Sequence, residues 1–152
     1  MKLLIVNGSP RAPRSNSRRY AELFQARWKG EARYAALTAK NHAELAAAAG
    51  MLHDIHTYAT MDPRDHAHKG SAMARDLLNS MKCFEAGEID AICSAIYHHS
   101  SKEISHTPFD EVLKDADVMQ HCLYNPLFDV MKHETERFGK LKEEFGLTGR
   151  EP

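Results

Sequence analysis

Three polar residues sit on apolar helix faces in this sequence, and those are the positions from which chemistry can be read. His99 lies three residues after Ile96 and seven after Ile92, so it continues a buried stripe. Its neighbour His98 points about 100° away around the same helix. Asp117 lies four after Leu113 and joins an inward face, whereas Asp115 turns outward. His53 follows Ala49 by four and Leu45 by eight, again on the buried side. Taken singly, each reads as a hydrogen-bonded core histidine or a capping aspartate. Taken together, three helices send an imidazole or carboxylate inward, and burial without a partner is costly. One shared cation satisfies all three, and a mixed His/Asp set suits Fe, Mn, Co or Zn.

The elements that must position these residues are mostly helical. The 3.6-residue period predicts helices over about Asn41 to His53 and Asp65 to Met81, the latter with Met73, Leu77, Leu78 and Met81 on one face. Others are predicted over about Gly87 to His99, from Pro108 with Phe109, Val112, Leu113 and Ala116, and over about Pro126 to Phe145. The first forty residues differ. Leu3 to Val6 is a short apolar run closed by Asn7-Gly8, as in a buried strand. Ser15 or Asn16 can cap a helix reaching about Trp28, and Tyr34 to Leu37 is a candidate second strand. The expected fold is therefore mainly α, a helical domain at 43–147 with a β-α-β appendage at 1–42 and a tail at 148–152.

Length and composition set the frame. The 152 residues leave room for one domain, or for one domain plus a short appendage. With 20 basic and 21 acidic residues there is no polyanion-binding excess, so nucleic acid is not an expected partner. The opening MKLLIV is too short for a membrane span, and no membrane partner is expected. Three cysteines (Cys83, Cys93 and Cys122) lack CxxC spacing and read as reduced thiols of a cytoplasmic protein. Oligomeric state is not readable.

The polar segments, in order, resemble the HD superfamily of metal-dependent phosphohydrolases. Met51-Leu52-His53-Asp54-Ile55 resembles its name-giving motif, and His66-Ala67-His68-Lys69-Gly70 its HxxxGA segment. Ala95-Ile96-Tyr97-His98-His99 is similar to its next histidine site, and Leu113-Lys114-Asp115-Ala116-Asp117 to its closing Ala-Asp. The resemblance implies one or two divalent metals. Asp54 would bridge them, His53 and Asp117 would serve one, and His66 and His99 the other. Asp54, His68 and His98 would be the catalytic or substrate-contacting groups. It further implies hydrolysis of a phosphoester or phosphoanhydride of a small substrate such as a nucleotide, by water made acidic at the metal.

Two departures matter. The family carries a further metal-binding histidine on the helix before the HD helix, and 17–28 contains none. His56, three after His53, is a candidate substitute. The N-terminal stretch has a separate resemblance, to the start of a flavodoxin-like FMN reductase. Ser9, Arg11, Ser15, Asn16 and Ser17 would form its FMN-phosphate loop. The remaining strands of that fold are missing, so FMN binding is not expected. Three readings stand at this point: an HD-type phosphohydrolase, an HD-like module with little turnover, and a flavin-binding oxidoreductase.

Overall fold

A computed structural model describes residues 42–124 and 129–147. The expected β-α-β appendage and its FMN-phosphate loop residues lie outside the described residues. The described residues are helical and contain no strand. In chain order the helices are α1 (His42–Leu52), α2 (Ile55–Thr60), α3 (His66–Met81), α4 (Ala86–His98), α5 (Pro108–Tyr124) and α6 (Thr135–Glu144). Among the described residues no helix is long and apolar enough to cross a membrane.

Helix α4 is the centre of the packing. Ile89, Ile92, Cys93, Ala95 and Ile96 are all buried, joined by Leu45 and Ala49 of α1, Ala74 and Leu78 of α3, and Phe109 and Leu113 of α5. Each large aliphatic side chain buried this way contributes about 1.5–3 kcal/mol. A second cluster joins Val118, Met119 and Leu123 of α5 to Phe138 and Leu141 of α6. Helix α5 therefore runs through both cores, and Asp117 sits between the Leu113 and Val118 sections of it.

Helix ends are set by local chemistry. Glu85 and Glu88 form a reciprocal capping box at the start of α4. At the start of α5, the Thr107 hydroxyl accepts the Asp110 N–H at 3.3 Å and the Asp110 carboxylate accepts the Thr107 N–H at 3.2 Å.

Two expectations are corrected and one helix is added. The buried face of α3 is not the Met73/Leu77/Leu78/Met81 stripe: Leu77 and Met81 are exposed, while Ala67, Gly70, Ser71, Ala74 and Leu78 are buried. Small residues are selected because α3 approaches its neighbours closely. The Ser71 hydroxyl donates to the Cys93 carbonyl of α4 at 2.8 Å. A Cβ on Gly70 would lie 3.2 Å from the His53 carbonyl. The short helix α2 was not predicted; it is too brief to display a period. The last helix begins at Thr135, not near Pro126. Residues 129–134 form no helix, Met131 is exposed, and Glu134 turns its buried carboxylate toward α5.

Candidate metal centre

The His53–Asp54 pair occupies the turn between α1 and α2, where the chain leaves one helix and enters another. Asp54 has φ −102° and ψ 15°, outside the helical region, and its Oδ2 lies 3.3 Å from His53 Nε2. His66 opens α3 after a loop in which Met61 and Asp65 both take left-handed backbone conformations. That loop is stapled by the Asp62 carboxylate, which accepts the Arg64 backbone N–H at 3.0 Å and its Nε at 2.8 Å. His99 ends α4, and Asp117 projects from α5.

These five side chains converge. His53, His99 and Asp117 form one group whose ligand atoms lie within 4.8 Å of one another, and Asp54, His66 and His99 form a second. His99 belongs to both. Asp54 Oδ1 is 3.5 Å from His66 Nε2 and 3.9 Å from His99 Nε2, and Asp54 Oδ2 is 3.3 Å from His53 Nε2. Asp117 Oδ1 is 3.6 Å from His53 Nε2. Asp54 thus touches both groups, as a bridging carboxylate would.

Backbone carbonyls fix the imidazoles. His53 Nδ1 donates to the Gly50 carbonyl at 2.8 Å, His66 Nδ1 to Pro63 at 3.0 Å, and His99 Nδ1 to Ile96 at 2.6 Å. Gly50 and Ile96 lie in the last turns of α1 and α4, and the Ile96 carbonyl also accepts the His99 backbone N–H at 3.4 Å. The helix ends therefore orient the rings, and each Nε2 turns inward.

The electrostatics of the two groups differ. Burial pushes His99 down to about 4, so it is neutral and its Nε2 carries a lone pair. Burial alone would lower His53 too, but the hydrogen-bonding Asp117 and Asp54 carboxylates outweigh it and raise it to about 10. The His53 bond holds Asp54 below its ordinary value. Burial of Asp117 would raise its carboxyl, but His53 and Lys102 overcome that and hold it well below the usual range. A metal bound through His53 must therefore displace a proton.

The donor chemistry fits a divalent cation best at Asp54, His66 and His99. His66 Nε2 and His99 Nε2 lie 3.1 Å apart, each with Nδ1 already donating. Ser100 Oγ is 3.1 Å from the first and 3.4 Å from the second, and it has one hydrogen to give. A cation placed between the two Nε2 atoms would take a lone pair from each.

The remaining candidates fall outside both groups. His68 is exposed, with Nδ1 2.7 Å from Asp65 Oδ1, and stacks on Tyr97 at 4.1 Å. His98 is turned off the buried stripe as its phase predicts; its Nδ1 is 3.3 Å from Asp110 Oδ2, and its ring stacks on His106 at 3.8 Å. His56 belongs to neither group; its ring is buried, with Nδ1 donating to the Asp62 carbonyl of the α2–α3 loop at 3.1 Å. Asp115 does not face solvent freely but pairs with Arg137 at 2.6 Å.

Sequence reasoning missed Lys102, Ser100, His121 and Glu134. Lys102 Nζ meets Asp117 Oδ2 at 2.5 Å, both side chains buried. His121 Nε2 is 3.4 Å from Asp117 Oδ1, and its Nδ1 donates to Glu134 Oε1 at 2.9 Å. The four-residue spacing of Asp117 and His121 could have signalled that pair. Nothing in the 100–102 stretch marks Lys102.

The HD domain family model matches residues 19–121, beginning inside the stretch that the sequence reading gives to the appendage. No curated protein and no solved structure matches the chain. The match covers more than half of the chain and ends at His121, taking in every residue of both groups, so the chain belongs to the HD domain family, a superfamily of metal-dependent phosphohydrolases.

Proposed function

We propose that this protein hydrolyses a phosphoester or phosphoanhydride of a small molecule, a nucleotide, with a divalent cation held by Asp54, His66 and His99. The observation that carries the reading is the convergence of the His66 and His99 Nε2 atoms on Asp54, each ring pinned through Nδ1 to a backbone carbonyl. Three protein donors with room for further ligands is the form hydrolytic metal sites take. A cation held there supplies Lewis acidity, offsetting charge on phosphate oxygens and lowering the pKa of water.

The chain's own groups supply the rest. Asp54, kept ionised by His53, accepts a proton or a hydrogen bond at the edge of the site. The His53 imidazolium presents positive charge beside it, which suits an anionic substrate. His98 and His68 serve as substrate contacts: His98 is partly exposed, His68 is exposed, and each has Nδ1 facing a carboxylate. With Tyr97 and His106 they make a row of rings, Tyr97 against His68 at 4.1 Å and His98 against His106 at 3.8 Å. Such rings favour a substrate with a planar base over a plain phosphate.

The test is a turnover screen of nucleotides and dinucleoside polyphosphates with added Mn²⁺ or Co²⁺. Release of phosphate or a nucleoside monophosphate, lost on chelation, is the expected result. A second reading, an HD-like module with little turnover, is favoured by the ion-paired state of Asp117. Metal retained without turnover on any substrate would select it.

A further inference from the structure

Asp117 differs from Asp54, the other carboxylate of the converging set, in facing an ammonium as well as imidazoles. Its Oδ2 meets the Lys102 ammonium at 2.5 Å, with the two side chains 3% and 6% exposed. Its Oδ1 faces His53 Nε2 at 3.6 Å and His121 Nε2 at 3.4 Å. Lys102 is not a wandering surface side chain. Its carbonyl accepts Arg137 Nε at 3.3 Å and Nη2 at 3.1 Å, and its N–H donates to the Ser100 carbonyl at 3.1 Å. Arg137 is in turn tied to Glu111 at 2.7 Å and Asp115 at 2.6 Å, both on the helix that carries Asp117. The lysine backbone and the aspartate are therefore held on one rigid frame, and the ammonium reaches the carboxylate from a fixed origin.

A buried carboxylate must be paired, and an ammonium and a metal ion are alternative ways to pair it. Resting on the metal reading above, we propose that the Lys102 ammonium is a built-in cation of this centre, filling the cation position on Asp117 and restricting the protein to one metal, at Asp54, His66 and His99. Lys102 is a positioning and charge-balancing residue; it leaves His99, shared by both groups, to the single ion.

The test is metal stoichiometry, which does not depend on turnover. The protein and its Lys102→Met and Lys102→Arg variants are titrated with Mn²⁺, and bound metal is measured after gel filtration. Saturation at about one equivalent for the protein and for Lys102→Arg, rising to about two for Lys102→Met, is expected of a site that can otherwise hold a metal pair. Unchanged stoichiometry in folded Lys102→Met overturns the proposal, as does a second equivalent in the unaltered protein. If the unaltered protein binds no Mn²⁺, the metal reading fails by itself; a single equivalent gained by Lys102→Met then still supports the role of Lys102, and none overturns it. Should Lys102→Met not fold, electron paramagnetic resonance of the Mn²⁺-saturated unaltered protein decides: isolated Mn²⁺ supports the proposal and a spin-coupled pair overturns it.

Discussion

His66 and His99 face one another through Nε2 at 3.1 Å although they are thirty-three residues apart, and each has its other ring nitrogen bound to a carbonyl three residues earlier. Two helix termini and a loop hold this opposition in place.

His98 and His99 are adjacent yet should behave oppositely. His99→Ala removes a ligand shared by both groups and should abolish tight metal binding. His98→Ala should keep the metal, because the ring leans on Asp110 and His106 instead. It should lower stability by about 1–3 kcal/mol, since Asp110 is buried, its Oδ1 already lacks a hydrogen-bond partner and its Oδ2 would lose the imidazole 3.3 Å away. Metal content and denaturant midpoints of the two variants check this pair of outcomes.

Gly70→Ala should loosen the site from behind. The added Cβ would stand 3.2 Å from the His53 carbonyl, so α3 or the His53–Asp54 turn must shift by a few tenths of an ångström. A cost of about 1 kcal/mol or more is expected from such overpacking. Because His66 opens α3 and Asp54 is in the turn, metal affinity should fall together with Tm. A variant with lowered Tm and unchanged metal affinity would mean that the turn absorbs the shift without moving its ligands.

Glu111 links stability to acid. Burial would raise its carboxyl, but Lys114, the His106 N–H and Arg137 together bring it from 4.5 down to about 2. A folded-state value below the unfolded one means that the contribution is complete above 4.5 and is lost as pH falls toward 2. Asp54 and Asp117, also lowered, act in the same direction, whereas Asp115, raised by burial despite Arg137, acts in the opposite one. Glu111→Gln should therefore flatten the acid limb of stability against pH without removing it. Urea titrations across that range measure the slope, and an unaltered slope in the variant would contradict the assignment.

The cysteines should separate by reactivity. Cys83 is exposed; Cys93 is buried and its thiol is pushed up by burial. Burial and the Glu134 and Asp117 carboxylates push Cys122 up to about 11. Near neutral pH, Cys83 should alkylate first and the other two slowly, because the thiolate is the reactive form. Peptide mapping after a short iodoacetamide pulse reads the order; early labelling of Cys122 would argue against its placement beside Glu134.

Much of the site was legible because helical phase and burial coincide. Ile92, Ile96 and His99 share a stripe, as do Leu113 and Asp117, so the inward direction of both polar residues followed from spacing alone. His66 could not be found that way. It begins its helix, has no preceding apolar stripe, and is aimed by the Pro63 carbonyl and the Asp62–Arg64 turn; only its resemblance to a family segment marked it. The buried face of α3 was misread because Gly70, Ser71 and Ala74 carry no large apolar signal, although close helix contact requires them. Lys102 was invisible for a different reason. A lysine in a Ser-Ser-Lys loop reads as solvated, and its burial depends on Arg137 holding its carbonyl from thirty-five residues away.

The most direct measurement is the metal content of the purified protein and of Asp54→Ala, His66→Ala and His53→Ala, determined by mass spectrometry after equilibration with Mn²⁺ or Co²⁺. Asp54 lies against both groups, and His66 belongs to the group in which two imidazole Nε2 atoms converge on it. The account predicts about one tightly bound ion in the unaltered protein, none in the Asp54 or His66 variants, and a weakened but detectable ion in the His53 variant. Full metal content in folded Asp54→Ala or His66→Ala would contradict it, because the ion would then sit somewhere other than between Asp54, His66 and His99.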